Sequence, residues 1–292
     1  MTRQIISFPK LIVQAIELSI IAGNEILKVY SKEDFQVEEK TDQSPLTLAD
    51  MKSHNIIVKG LKSSEIPVLS EESQGINWEE RKEWERYWLV DPLDGTKEFI
   101  KRNDEFTVNI ALIEKGIPVM GVIYLPVFDV LYFALQDTGS FKILKPGNIN
   151  AETSFDDLMK AAVKLPAFTQ GSQLRVVASR SHISPETKLF IDGLDERYGK
   201  VKTVAAGSSL KLCLVAEGNA EIYPRMGPTM EWDIAAGHVI VTESGGSVLK
   251  TDNTDLVYNK PDLLNPWFVV RSKSYLDGTL LSSKEKEARK PL

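Results

Sequence analysis

The sequence predicts an α/β chain of two lobes, an α+β lobe over residues 1–150 and an alternating α/β lobe over residues 151–292. Three observations lead there. A length of 292 residues is about twice that of a common domain. The first half places two helix-period segments ahead of a run of short β-rich segments. The second half alternates helix and strand patterns, the order expected where helices cover a sheet.

The elements follow in order. Leu11, Ala15, Leu18, Ala22, Ile26 and Val29 recur at steps of three and four, one apolar face of a helix from about Pro9 to Tyr30. Residues 47–63 read as a second helix. Apolar runs at 66–70, 87–90, 106–113, 119–124 and 130–134 are punctuated by Gly, Pro and Asp and read as strands of an antiparallel meander. Residues 145–173 hold Pro146, Gly147, Pro166 and Gly171 around a weak helix, and the lobe boundary is set near their start. In the second lobe the strands are 174–178, 201–205, 220–223, 247–249 and 267–270. Ser184-Pro185 starts a helix, with serine as N-cap and proline at the first helical position. Two more helices cover 208–217 and 233–243, the latter stopped by Gly245-Gly246. Residues 282–292 are charged and expected to fray.

Composition removes several classes of function. Apolar residues make up 42% and charged residues 26%, which excludes wholesale disorder. The longest stretch free of Asp, Glu, Lys and Arg, Gly116–Phe128, has 13 residues and two prolines, too short to span a bilayer. The apolar residues near the N-terminus are interrupted by Glu17 and Glu25, unlike a signal peptide. A net charge of −6 argues against a nucleic-acid surface. A single cysteine, Cys213, rules out an intrachain disulfide framework and Cys-rich metal sites, and the expected setting is a reducing cytoplasm.

The chemistry is concentrated in four acidic segments. In Leu89-Val90-Asp91-Pro92-Leu93-Asp94-Gly95-Thr96, the apolar pair puts Asp91 at the end of a buried strand, and Pro92 and Gly95 call for a tight turn. Two carboxylates three residues apart on such a turn can converge, as a hard divalent cation requires. The amides of Gly95 and Thr96 at a helix start suit a phosphate. Glu71-Glu72 closes a second apolar run, and adjacent acids there are unfavourable without a cation, unless one faces solvent and the other an ion pair. Asp233 opens an apolar helix, where aspartate ordinarily serves as N-cap. Thr47 and Asp50 have the spacing of a capping box, and could equally orient and deprotonate a water beside a metal.

Together, in this order and spacing, the four segments resemble the inositol monophosphatase superfamily of Mg²⁺-dependent, lithium-sensitive phosphatases. Asp-Pro-Leu-Asp-Gly-Thr-Lys-Glu-Phe at 91–99, Glu-Phe-Thr-Val-Asn-Ile-Ala-Leu-Ile at 105–113 and Gly-Pro-Thr-Met-Glu-Trp-Asp at 227–233 look like its bacterial CysQ-type 3′(2′),5′-bisphosphate nucleotidase branch. Lys97-Glu98 stands where inositol monophosphatases proper usually carry Thr-Asn, and Asp104 stands where the CysQ-type branch often has Gly.

The resemblance implies a five-layer α-β-α-β-α sandwich with the site between the lobes. It implies that Glu71, Asp91, Asp94, Asp233 and the main-chain carbonyl of Leu93 hold two or three Mg²⁺, Asp91 bridging two of them. Thr96 would hold the attacking water with Asp50 and Thr47 behind it, and Glu72 would act through a third, weaker metal or its water. Glu71, Leu93, Asp94 and Asp233 would also border the substrate, the amides of Gly95 and Thr96 would hold the scissile phosphate, and Ser208, Lys211 and Arg225 would contact the 5′-phosphate and nucleoside. Taken by themselves, Ser208 reads equally as a helix cap and Arg225 as a surface ion-pair partner. The implied reaction is hydrolysis of adenosine 3′,5′-bisphosphate to AMP and phosphate by direct attack of water, clearing a by-product of sulfate activation. At most peripheral attachment to the inner membrane is expected. Two rivals stand: a superfamily phosphatase acting on inositol phosphate or a sugar phosphate, and a non-catalytic sensor of phosphonucleotide and Mg²⁺.

Other conspicuous residues carry less. His54, His182 and His238 have no metal-binding spacing, and His238 and Cys213 lie in apolar helices as core residues. Trp78, Trp84, Tyr87 and Trp88 read as packing on the first sheet. No phosphate loop, dinucleotide fingerprint or serine-hydrolase elbow occurs.

Overall fold

The structure is a computed structural model that describes residues 7–32, 38–39, 45–73, 76–168, 173–179 and 183–278. His182 and residues 282–292 lie outside the described residues.

Helix α1 (Phe8–Tyr30) is followed by the short pair β1 (Glu38–Glu39) and β2 (Pro45–Leu46), then by α2 (Leu48–Leu61). The first sheet is built from β3 (Val68–Ser70), β4 (Arg86–Asp94), β5 (Thr107–Glu114), β6 (Ile117–Leu125), β7 (Val130–Leu135), β8 (Gly139–Leu144) and β9 (Val163–Lys164). Short helices α3 (Trp78–Arg81), α4 (Thr96–Ile100) and α5 (Phe155–Ala161) sit in its connections. The second sheet takes β10 (Arg175–Ser179), β11 (Lys202–Ala206), β12 (Ile222–Arg225), β13 (Ser247–Lys250) and β14 (Phe268–Arg271). Its helices are α6 (Pro185–Tyr198), α7 (Leu210–Glu217), α8 (Glu231–Glu243) and α9 (Lys273–Leu276).

The seven strands of the first sheet lie in chain order, β3 to β9. The strands from β4 onward are antiparallel, as expected of a meander, but β3 runs parallel to β4. A parallel pair needs a crossover, and the segment carrying α3 supplies it. Strand β8 was not expected. Its register with β7 pairs Phe133 with Phe141, and the hairpin turns on Asp137 (φ 62°) and Gly139 (φ 121°). The second sheet has the order β11-β10-β12-β14-β13, parallel around β10 and antiparallel around β14.

Alternation along β5 shows why this strand reads as one continuous apolar run. Val108, Ile110 and Leu112 pack with α1 and α2 on one face of the sheet. Ala111 and Ile113 pack on the other face with Leu212 of α7 and Ile234, Val239 and Ile240 of α8. The same cluster reaches Val177, Tyr223 and Val270 of the second sheet, so α7 and α8 are sandwiched between two sheets. Helix α8 is accordingly apolar on several sides. It comes so close to β6 that a Cβ on Gly121 would lie 2.4 Å from the carbonyl oxygen of Ala236. Beyond the second sheet, Val176, Ile222 and Val269 pack with Leu194 of α6. The layers are therefore α-β-α-β-α, as the resemblance implies.

The expected division at 150 falls too early in the structure. Helix α5 packs on α1, and β9 still pairs with β8 in the first sheet, so the chain changes sheets between Lys164 and Arg175. Pro146 and Gly147 belong to a connection within the first sheet, whereas Pro166 lies in the segment that leads to the second sheet, and Gly171 lies outside the described residues.

Candidate active site

The carboxylates sit where β4 meets the second lobe. Buried Tyr87, Trp88, Leu89 and Val90 anchor β4 in the sheet. The strand does not end at Asp91 but continues through Pro92 and Leu93 to Asp94. Against β5, Asp91 pairs with Asn109 and Asp94 with Thr107, which gives β4 one extra residue, a bulge between the two acids. The amide of Leu93 donates to Asp91 Oδ1 at 3.1 Å. The turn itself is left to Gly95, whose φ of 93° suits a residue without a Cβ and which caps α4.

Asp94 faces the second lobe. Its Oδ2 accepts the main-chain amide of Ser209 at 2.5 Å and the side-chain amide of Asn109 at 3.4 Å. The Ser208 hydroxyl lies 2.9 Å from the carbonyl of Asp94 and 2.7 Å from that of Glu105. Asp233 is supplied by α8. It is the third helical residue rather than the N-cap, which is Met230, and its Oδ2 accepts the Met230 amide at 2.9 Å. Helix α8 thus starts two residues earlier than expected, at Glu231, which is buried and bonded to the amides of Asn259 and Lys260.

A second arrangement backs the acidic turn. Thr47 caps α2, accepting the Ala49 amide at 3.2 Å. Asp50 Oδ2 accepts the Thr47 amide at 2.8 Å and the Thr47 hydroxyl at 2.5 Å, and Asp50 Oδ1 accepts the Thr96 hydroxyl at 3.1 Å. The cap and the link to Thr96 therefore coexist. Ser53 of α2 donates to the Pro92 carbonyl at 2.6 Å, fastening the helix to the acidic turn. Glu71 and Glu72, both half-buried, occupy the turn after β3, with the Glu71 amide on the Val90 carbonyl at 3.0 Å. His54 Nδ1 is 2.9 Å from the Ser70 hydroxyl just before them.

The electrostatics show that these groups share one space. Burial, then the charges of Glu71, Asp94, Asp233 and Asp50, push Asp91 well above the usual carboxylate range. Asp94 is raised by burial and by Glu71, against the pull of Lys211 and the Ser209 and Asn109 donors. Burial and then the Asp94 charge push Asp233 up to about 8. Asp50 is also raised, by burial first, while its threonine donors oppose the shift. Asp94 and Asp233 are closely surrounded by protein yet keep some surface, because both open onto a cavity of about 660 Å³.

That cavity runs between the lobes. Gly95, Lys97, Glu98 and Lys101 line it from the first lobe, and Ser208, Lys211, Tyr223 and Arg225 from the second. Lys211 is buried, its Nζ lies 5.8 Å from the centre of the Tyr223 ring, and burial lowers it to about 8. Arg225 donates to the Pro228 carbonyl at 2.7 Å, and among the described residues it has no ion-pair partner. Thr47, Asp50, Glu71, Glu72, Asp91, Leu93 and Thr96 do not line the cavity but stand behind or beside its acidic end.

Among the described residues, no three Asp, Glu, His or Cys side chains are gathered tightly enough to hold a metal ion as they stand. The donor set nonetheless fits a hard divalent cation. Asp91, Asp94 and Asp233 disfavour one another's charge and are acceptor-only when ionised, and the Leu93 carbonyl belongs to the bulge between the first two. A divalent charge reverses the repulsion that keeps such carboxylates apart.

A model of the inositol monophosphatase family matches residues 9–288. The chain belongs to the inositol monophosphatase family. Within it, the chain is 44% identical over 261 residues to the 3′(2′),5′-bisphosphate nucleotidase CysQ of Shigella flexneri, covering 88% of this chain and 98% of that protein. It is 43% identical to the CysQ of Escherichia coli K12 over the same length. The crystal structure of CysQ from Bacteroides thetaiotaomicron, a bacterial member of the inositol monophosphatase family, superposes with a TM-score of 0.84 at 46% identity, covering 91% of this chain and 98% of that one.

Sequence reading did not pick out the buried polar residues behind Asp94: Thr107, Asn109 and Ser209. A signal was present. Thr107 and Asn109 are two apart in a β-run, so they share a face of the strand, and two polar residues on one face of a buried strand require partners.

Proposed function

We propose that the chain is a Mg²⁺-dependent 3′(2′),5′-bisphosphate nucleotidase that hydrolyses the 3′-phosphate of adenosine 3′,5′-bisphosphate to AMP and phosphate. The observation that carries the reading is the meeting of Asp91 and Asp94 from one lobe with Asp233 from the other, at the end of a cavity bearing Lys211 and Arg225. The CysQ relatives have the activity their name states, and their likeness spans nearly the whole chain.

Glu71, Asp91, Asp94, Asp233 and the Leu93 carbonyl would hold two or three Mg²⁺, which when bound neutralise the ester and make water a nucleophile at neutral pH. The chain's own residues do the rest. The Thr96 hydroxyl gives its proton to Asp50, leaving an oxygen lone pair to receive a proton from water. Thr47 fixes Asp50 through its amide and hydroxyl, so the carboxylate cannot swing away. The amides of Gly95 and Thr96, at the start of α4, seat the scissile phosphate. Glu72, next to Glu71 in the turn after β3, would act through a further cation or its water. Lys211 and Arg225 supply positive charge for the second phosphate, with the base in the remaining cavity. The Ser208 hydroxyl is turned to the Asp94 and Glu105 carbonyls, so Ser208 serves the substrate through its backbone position rather than by a free hydroxyl. Water attacks directly, with no phosphoenzyme; Cys213 is sealed in the core.

Among the described residues no helix is long and apolar enough to cross a membrane. A cytoplasmic setting, where sulfate activation would generate this substrate, accords with the reading.

The test compares phosphate release from adenosine 3′,5′-bisphosphate and from inositol 1-phosphate in Mg²⁺. A strong preference for the nucleotide supports the assignment. Equal or inverted preference shifts it to another phosphatase of the family.

A further inference from the structure

Three polar side chains that belong to no expected ligand set are packed behind Asp94. Thr107 and Asn109 stand on β5 and Ser209 precedes α7 in the second lobe, and all three are buried. The Ser209 hydroxyl donates to Asn109 Oδ1 at 2.8 Å. The Thr107 hydroxyl lies 3.0 Å from the same oxygen and 2.8 Å from the Ser209 hydroxyl. The Asn109 side-chain amide then faces Asp94 Oδ2 at 3.4 Å, beside the Ser209 main-chain amide.

These bonds fix the amide's orientation. Its oxygen collects the two hydroxyls and its nitrogen must therefore point at the carboxylate. The reverse orientation would set a carbonyl oxygen against an acidic side chain. The donors to Asp94, the Ser209 amide at 2.5 Å, the Asn109 amide at 3.4 Å and, more distantly, the Thr107 hydroxyl at 3.5 Å, all act on the same oxygen, Oδ2. The second lobe supplies the shortest of them and the first lobe the other two.

We propose that Asn109 is a positioning residue for Asp94, oriented by Thr107 and Ser209, and that through this network the second lobe sets the cation affinity of a first-lobe carboxylate. The inference rests on the reading of Asp94 as a metal ligand. Partners that orient a ligand from behind commonly tune affinity by about ten- to a hundredfold. The arrangement also ties the cation to the substrate seat, because Ser209 leads into α7, which carries Lys211 into the cavity.

The test is titration of the full chain with Mn²⁺ alone, which prefers the same oxygen donors as Mg²⁺, read by calorimetry and by the Mn²⁺ resonance spectrum without substrate. In Asn109→Leu, Mn²⁺ binding should weaken about tenfold or more. In Thr107→Val and Ser209→Ala it should weaken less, and Ser209→Ala should not add to Asn109→Leu in the double variant, since both act through one amide, whereas Thr107→Val also removes a hydroxyl 3.5 Å from Asp94 Oδ2. Thermal melting separates this from a loss of fold, and the two milder variants keep the test open if Asn109→Leu does not fold. Mn²⁺ affinity unchanged within about twofold in folded variants, or full additivity, overturns the proposal. A parent chain that binds Mn²⁺ but leaves adenosine 3′,5′-bisphosphate intact would overturn the proposed substrate and leave this inference standing.

Discussion

The Thr96 hydroxyl donates to Asp50 across 3.1 Å, joining the first residue of α4 to the first turn of α2. The same carboxylate holds Thr47, so one acid closes the helix cap and accepts the hydroxyls of two threonines, and the proposed reaction uses it to take up a proton. In Thr96→Val the backbone amide and the shape are kept and only the hydroxyl is lost. The turnover rate should fall by about 10²- to 10⁴-fold, the usual range for a lost proton-transfer partner, with Mn²⁺ affinity unchanged. Turnover within threefold of the parent would remove Thr96 from the reaction.

Gly95 combines two constraints. Its φ is 93°, and a Cβ there would lie 2.0 Å from the Ser208 hydroxyl oxygen. Gly95→Ala should lower stability by about 1–3 kcal/mol, read by thermal or denaturant unfolding. Adding Ser208→Ala should recover part of the loss by removing the oxygen in the way, while the strain of the positive φ remains. A double variant as unstable as the two losses summed would mean that the lobes separate instead of clashing.

Lys211 is the buried cation nearest the acidic end of the cavity, and its charge favours the ionised form of Asp94. Lys211→Met keeps the length of the side chain and removes the charge. The KM for adenosine 3′,5′-bisphosphate should rise about ten- to a hundredfold, the worth of a charge-assisted contact, while a nucleoside 3′-monophosphate is affected less. Equal effects on both substrates would assign Lys211 to the scissile phosphate.

His238 on α8 shares a 2.9 Å hydrogen bond with the Tyr258 hydroxyl, and burial lowers its pKa to about 4 from an ordinary 6.5. The fold therefore favours the neutral ring. This contribution is complete above pH 6.5 and is lost as the pH falls towards 4, because only the unfolded chain takes up the proton in that window. Its size is about 3 kcal/mol at most. The melting temperature of the parent should fall more steeply between pH 6.5 and 4 than that of His238→Gln; parallel slopes would contradict the assignment.

How much of this could be read from the residues differs by element. The first helix was legible because one apolar face repeats over six turns with nothing competing. The acidic segments stood out as carboxylates closing apolar runs, but each alone also suits a turn, a helix cap or an ion pair, and only their joint order and spacing carried the resemblance. Strand β8 was missed because Lys142 and the following Lys145-Pro146-Gly147 resemble the start of a connection, although Phe141 and Ile143 alternate into the core. The direction of β3 was not legible, since strand composition carries no sign of parallel or antiparallel pairing. The start of α8 was misplaced because the buried Glu231 looks like a residue ahead of the helix; its partners, the amides of Asn259 and Lys260, are 28 and 29 residues away. Asn109 was passed over for the same reason, as Ser209, which orients it, is 100 residues distant.

The central claim is that carboxylates from both lobes form one cation-dependent site that splits a phosphoester. Phosphate release from adenosine 3′,5′-bisphosphate in Mg²⁺, measured for the parent chain and for Asp94→Asn, tests it most directly. The account predicts release by the parent that stops when Mg²⁺ is chelated, and a loss of at least about a hundredfold in the variant. Release undiminished in Asp94→Asn, or unaffected by chelation, would contradict it.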